Sequence, residues 1–282
     1  MIVCRSAAEL ERMHEVGRLV GEVLTALAAV IAPGVSTADL DRLAEKRIAQ
    51  AGATAAFKGY HGYPATICAS LNDEVIHGIP SGRRVLREGD VISIDVGASL
   101  GGYFGDSATT LPVGQVSEQA ATLLRVTEEA LYKAIERARP GHRISDISHA
   151  VQRHVEAYGC SVVREFVGHG IGQRMHEEPQ VPNYGEPGRG PRLAEGMVLA
   201  IEPMVNAGKP AVKVLADGWT AVTRDGSLSA HFEHTVAVTA GEPWILTERI
   251  APATGASRDI TERQRVGTAL SQGQVGVGPH EH

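Results

Sequence analysis

Apolar residues recur every third or fourth position at Leu10, Met13, Val16, Val20, Leu24, Leu27 and Ile31, the period of one helix face. Ser6 and Glu9 form a capping box at its start: Ser6 can accept from the Glu9 amide, and Glu9 can reach back. Pro33-Gly34 stops this helix. A second helix is expected from Ser36 or Thr37 to about Gly52, a third from Ser117 to before Pro140-Gly141, and a fourth from about Ser145 to Gly159. Strands fill the rest. Val91 to Val96 is short and β-branched, and Met197 to Glu202 has the same character. His231 to Thr239 alternates, with Val236 and Val238 facing opposite to Glu233 and Thr235. Beyond Glu248 the periodicity ends. Residues 249–282, rich in small and polar types, are expected to be a disordered tail, with its His280 and His282 as bystanders.

Shifting the chain by 107 residues lays it on itself: Pro33 falls on Pro140, Asp39 on Asp146, Gly52 on Gly159 and Asp95 on Glu202. One offset aligns a helix stop, a helix end and a strand ending in a carboxylate. This predicts an α+β domain over residues 1–248. Its two helix-plus-antiparallel-sheet halves, about 6–112 and 113–248, are related by a pseudo-two-fold. Each half contributes an acid to a central site.

Composition narrows the function. A net charge of −6 with no basic run longer than Arg83-Arg84 argues against a nucleic-acid substrate. Three cysteines without a C-x-x-C pair suggest neither a disulfide framework nor a thiolate zinc site. The start lacks a signal-peptide pattern, and the most apolar stretch, Val23 to Ala32, is too short for a bilayer. A cytoplasmic protein with no membrane partner is expected.

The chemistry lies in the strand-borne acids. A hairpin turning around Leu100-Gly101 sets Asp95 opposite Asp106. Cross-strand β-carbons lie about 5 Å apart, where like charges repel. A shared proton or a pair of metal ions would relieve them; two surface acids on a hairpin is the plainer alternative. Glu202 ends a strand that reads as buried, and Glu233 lies in another. Acids rarely sit inside unless paired or metal-bound. His169, between Gly168 and Gly170, adds one nitrogen donor. Four carboxylates and one imidazole balance two divalent cations. The oxygen-rich set suits Mn, Fe, Co or Zn, and disfavours a closed structural zinc site. His77 and His176 are further candidates, for catalysis or for structural hydrogen bonds.

Together these residues resemble the methionine aminopeptidases, of the bacterial type I group. The motifs are Gly59 to Pro64, Asn72 to Pro80, Ile94 to Gly97, Gly168 to Gly172, His176 to Pro179, Ile201 to Met204 and Glu233 to Thr235, spanning about residues 5 to 247. The resemblance implies the pita-bread fold, two halves around a pseudo-two-fold with metals between them. It implies that Asp95 chelates one metal, Asp106 and Glu233 bridge two, and His169 and Glu202 complete the other shell. Glu202 would shuttle the proton, His176 would hydrogen-bond the carbonyl oxygen, and His77 would assist near the scissile nitrogen. Tyr60, Tyr63, Cys68, His77, Met175, His176 and Trp219 would bind substrate. Met175 stands where the family often has Phe, and Phe57 where some bacterial members have Cys. The implied activity is excision of the initiator methionine from nascent polypeptides when the second residue is small. The enzyme would act as a monomer, with the ribosome near its exit tunnel as a further partner.

Two rivals share the fold. A proline-directed aminopeptidase or prolidase would carry a sizeable extra domain ahead of the first helix, which here starts near residue 6. A catalytically inactive binding protein would have lost ligands, whereas all five positions hold ligating side chains. With the first helix opening at Ser6, no zinc-binding extension is expected before it. Glu202 follows His169 too closely for the helical subdomain of type II members.

Overall fold

A computed structural model describes residues 1–249. All of the expected tail, residues 249–282, except Arg249 lies outside the described residues, its two histidines included. The first half opens with helices α1 (Ala7–Ala28) and α2 (Thr37–Gln50), followed by strands β1 (Thr54–Ala55), β2 (Ile67–Leu71), β3 (Glu74–Ile76), β4 (Val91–Leu100) and β5 (Tyr103–Pro112). The second continues with α3 (Glu118–Ile135), α4 (Ile144–Ala157), β6 (Ser161–Val162), β7 (Gly168–Gly170) and β8 (Glu177–Val181). It closes with β9 (Val198–Ile201), β10 (Met204–Asn206), β11 (Val212–Val214), β12 (Ala221–Thr223), β13 (Ser229–His231), β14 (His234–Ala237) and β15 (Trp244–Ile245).

The periodic face of α1 is the buried face: Leu10, Met13, Val16, Val20, Leu24 and Leu27 all pack inward. Burying each such side chain is worth about 1.5–3 kcal/mol, more than intrinsic propensity supplies, so packing holds the helix. Ile31 falls beyond its end and is only partly buried. At the start, Glu9 Oε2 accepts from Ser6 N at 2.9 Å and from Ser6 Oγ at 2.8 Å, the reach-back half of the capping box.

α1 and α2 share one apolar core with β2 and β4, while α3 and α4 share another with β9, β10, β13 and β14. The 107-residue offset persists in detail. α2 maps onto α4 and β1 onto β6, and the isolated bridge Ser36–Val85 maps onto Arg143–Arg192.

Two expectations need correction. The β4–β5 hairpin turns on Gly101-Gly102, both at positive φ (59° and 83°), not on Leu100-Gly101. Two such residues permit the two-residue turn that matches strand twist. The register therefore slips by two: Asp95 pairs with Ala108, and Asp106 with Gly97. Because side chains alternate with period two, both acids still share a face, diagonally placed. The strand expected from His231 to Thr239 is likewise split into β13 and β14. β14 pairs with β9 and β13 with β10, in one register interrupted at Glu202-Pro203 and Phe232-Glu233. Pro203 has no amide to donate, and both acids sit at the break, where the chain passes between sheets.

Candidate metal centre

Every site residue singled out from the sequence lines one cavity of about 290 Å³: Asp95, Asp106, His169, Glu202 and Glu233, with Tyr60, Tyr63, Cys68, His77, Met175, His176 and Trp219. A larger open groove lies along α3 and α4, lined by none of these acids. Asp95 and Asp106 come from the first hairpin, Glu202 and Glu233 from the interrupted one, and His169 from β7 between β8 and β9.

β7 is short and tightly enclosed. A Cβ on Gly168 would stand 2.4 Å from Ala200 O, and one on Gly170 2.2 Å from Glu178 O. Only glycine allows that approach, and it carries His169 into the cavity. The Gly170 carbonyl accepts from His169 Nδ1 at 2.9 Å. The ring proton is thereby assigned to Nδ1, which leaves the Nε2 lone pair free.

Across the seam between the halves, β5 lies beside β13 and β14. Glu233 N donates to Ala108 O at 2.9 Å, and Ser107 Oγ to Glu233 O at 2.6 Å. The backbones carrying Asp106 and Glu233 are thus bound to each other.

Burial dominates the electrostatics. It raises the Asp95 carboxyl to about 7 and pushes Asp106, Glu202 and Glu233 well above the usual carboxylate range, each helped by the neighbouring acids except at Asp95. Loss of water lowers His77 and His169 to about 4 and His231 to about 3. The Cys68 thiol is held above its ordinary value by burial and by Asp95.

These residues fit divalent cations. Asp95 Oδ1, Asp106 Oδ1 and Glu233 Oε1 are buried without hydrogen-bond partners. Ligand atoms of Asp106, His169 and Glu233 lie within 4.8 Å of one another. Leaving such groups unpaired costs about 1–3 kcal/mol each, more when charged. Oxygen donors and one neutral imidazole nitrogen answer that cost with a cation. Asp95 and Glu202 complete the same wall, with Glu202 Oε1 3.5 Å from His169 Nε2.

The rest of the wall is aromatic and apolar. Tyr63 meets Trp219 edge-to-face at 5.1 Å between centroids, and its hydroxyl reaches Ile67 O and Gly78 O, both at 3.1 Å. Phe57 and Met175 crowd against Gly97. His77 adopts a left-handed backbone (φ 60°) and lies edge-on to Phe166. Non-glycine residues seldom take that conformation, and at a cavity it marks a site held by its surroundings. At the mouth, Tyr60 OH stands 2.8 Å from His176 Nδ1.

Sequence reasoning missed Ile76, His61, Phe166 and Val167 in the lining, and also His231, whose Nε2 lies 3.7 Å from Glu202 Oε2. The alternation His231, Glu233, Thr235 was the available signal for that histidine.

The family model described as Metallopeptidase family M24 matches residues 11–240. The methionine aminopeptidase of Clostridium acetobutylicum is 56% identical over 247 residues, covering 88% of this chain and 99% of its own. A crystal structure of the methionine aminopeptidase of Thermotoga maritima superposes with a TM-score of 0.87 at 47% identity, covering 88% of this chain and all of that one. The prolidase of Pyrococcus horikoshii shares the fold, with a TM-score of 0.69 at 24% identity; the match covers 89% of this chain and 65% of the prolidase.

Proposed function

We propose, for a chain that belongs to metallopeptidase family M24, the activity of a methionine aminopeptidase: removal of the initiator methionine from polypeptides whose second residue is small. The observation that carries this reading is a cavity of about 290 Å³ with an apolar, aromatic wall, ending on a buried acid cluster in which Asp95 Oδ1, Asp106 Oδ1 and Glu233 Oε1 lack hydrogen-bond partners. Phe57, Tyr63, Cys68, Met175 and Trp219 form a wall suited to an unbranched thioether side chain. A peptide enters with its first residue in that wall and its first peptide bond beside the acids.

Asp95, Asp106, His169, Glu202 and Glu233 would hold two divalent ions, drawn from Mn, Fe, Co or Zn. When bound, such ions supply Lewis-acid polarisation of the scissile carbonyl and lower the pKa of water. The remaining work falls to side chains. The Glu202 carboxylate takes a proton from the attacking water and passes it to the departing amine. If Tyr60 OH donates to His176 Nδ1, the ring proton of His176 sits on Nε2, ready to donate to the carbonyl oxygen as charge develops. His77, held neutral by burial, lies edge-on to Trp219 with ring centroids 6.2 Å apart, and would contact the scissile nitrogen. Because initiator methionine is exposed where translation occurs, we place the enzyme in the cytoplasm, acting on nascent chains.

The test is turnover of Met-Ala-Ser and of X-Pro peptides by metal-loaded protein, followed by chelator. Methionine release that the chelator stops is expected. No release with any of the four metals would overturn the reading, and preference for X-Pro would move the chain to the proline-directed branch.

A further inference from the structure

Two threonines bridge the seam between the halves in a way that follows its pseudo-two-fold. Thr235 Oγ1 accepts from Asp106 N at 3.1 Å and donates to Asp106 O at 2.8 Å. Thr110 Oγ1 treats His231 in the same way, accepting from N at 2.8 Å and donating to O at 2.9 Å. Strand register gives the same correspondence. Asp106 pairs with Gly97, two residues beyond Asp95, and His231 pairs with Met204, two residues beyond Glu202. One half therefore sets two acids side by side, Asp95 and Asp106. The other sets an acid beside an imidazole, Glu202 beside His231.

His231 is 2% exposed, and its Nε2 has no hydrogen-bond partner. That atom lies 3.7 Å from Glu202 Oε2, while Oε1 of the same carboxylate lies 3.5 Å from His169 Nε2. The Glu202 carboxylate is thus flanked by two imidazoles, one on each oxygen. A separation of 3.7 Å is longer than a hydrogen bond. The terminal torsion of Glu is soft, so a small rotation brings Oε2 into reach.

We propose that His231 is a positioning residue for the metal centre: its Nε2–H holds Glu202 Oε2 and leaves Oε1 for the cluster. The proposal rests on the metallopeptidase reading above. It gives the symmetry mate of Asp106 a task suited to its chemistry. A second acid there would repel Glu202; a donor fixes which oxygen faces the ions. Outer partners of ligating carboxylates commonly govern affinity this way.

The test compares His231→Leu, which removes the donor, with His231→Gln, which keeps one of similar reach. Metal-stripped protein is titrated with Co²⁺ by visible absorbance, beside kcat and KM on Met-Ala-Ser and a thermal midpoint. The Leu variant should bind Co²⁺ roughly 10–100-fold more weakly, with kcat falling and KM little changed. The Gln variant should recover most of both losses. Should the Leu variant not fold, His231→Asn, polar but too short to reach, is expected to show the same losses. Wild-type affinity in both donor-deleted variants would overturn the proposal, as packing alone would then explain His231. Failure of Gln to recover affinity would also overturn it, pointing to Nε2 as a direct ligand. Wild-type protein that takes up no Co²⁺ and releases no methionine would overturn the metallopeptidase reading, and the inference with it.

Discussion

Glu202 combines more demands than any other side chain in the cavity. Its carboxyl is pushed far above the usual range by burial and by Asp106 and Asp95, and its backbone carbonyl accepts from Asn183 Nδ2 at 2.9 Å. Glu202→Gln keeps the volume and removes both the charge and the proton carrier. We expect a folded protein with nearly all activity lost, measured as methionine release beside an unchanged circular dichroism spectrum; near-normal turnover would refute the role. His176 sits at the mouth, so His176→Ala should cost roughly two orders of magnitude in kcat, as for loss of one oxyanion donor. An unchanged kcat would remove it from the reaction. At this scale much was legible in advance, because buried-looking acids on apolar strands are costly and so informative. His231 was not, since a histidine beside a Phe reads equally well as core.

At the scale of elements, the four helices could be read closely because their apolar period and stops are local properties. α1, α2, α3 and α4 all lie within a few residues of expectation. The strands were harder. The register of the first hairpin depends on backbone angles at Gly101 and Gly102, and alternation reports which face a residue takes but not which partner it meets. The split between β13 and β14 was hidden because alternation runs through it while the pairing partner changes. β7 illustrates how an element serves the site: its glycines allow close packing, which places His169. Gly170→Ala would drive a Cβ to 2.2 Å from Glu178 O. We expect a loss of about 1–3 kcal/mol, typical of overpacking, read from denaturant midpoints. We also expect weaker metal uptake, as β7 shifts. The β7–β8 register shifts between His169 and Gly170, and a midpoint equal to wild type would show that this irregularity absorbs the methyl group.

For the whole molecule, the acid cluster opposes folding when no cation is present. Asp95, Asp106, Glu202 and Glu233 have folded pKa values raised above those of an unfolded chain, so the folded protein binds more protons and loses stability as pH rises. His77, His169 and His231, lowered to about 4, 4 and 3, act in the other direction, but only below about 6.5. Between pH 6.5 and 8 the carboxyls act alone, with Asp95 at about 7 inside the window. Metal-free protein should therefore lose thermal stability across that range, while metal-loaded protein should not, and adding metal at pH 7 should release protons. Calorimetry in buffers of different ionisation enthalpy measures the release; none would mean the acids are already ionised without metal. The sequence by itself determined the helices, the 107-residue duplication, the parity of each strand face and which acids and imidazole are candidates for the site. These follow from local periodicity and from the cost of burying charge. Only the tertiary structure decided the strand registers, the breaks at Glu202 and Glu233, and the pairing of His231 with Glu202. Those depend on turn angles and on contacts across the seam. Residues 95, 106, 169, 202 and 233 are separated along the chain, and packing of the two halves brings them to one cavity.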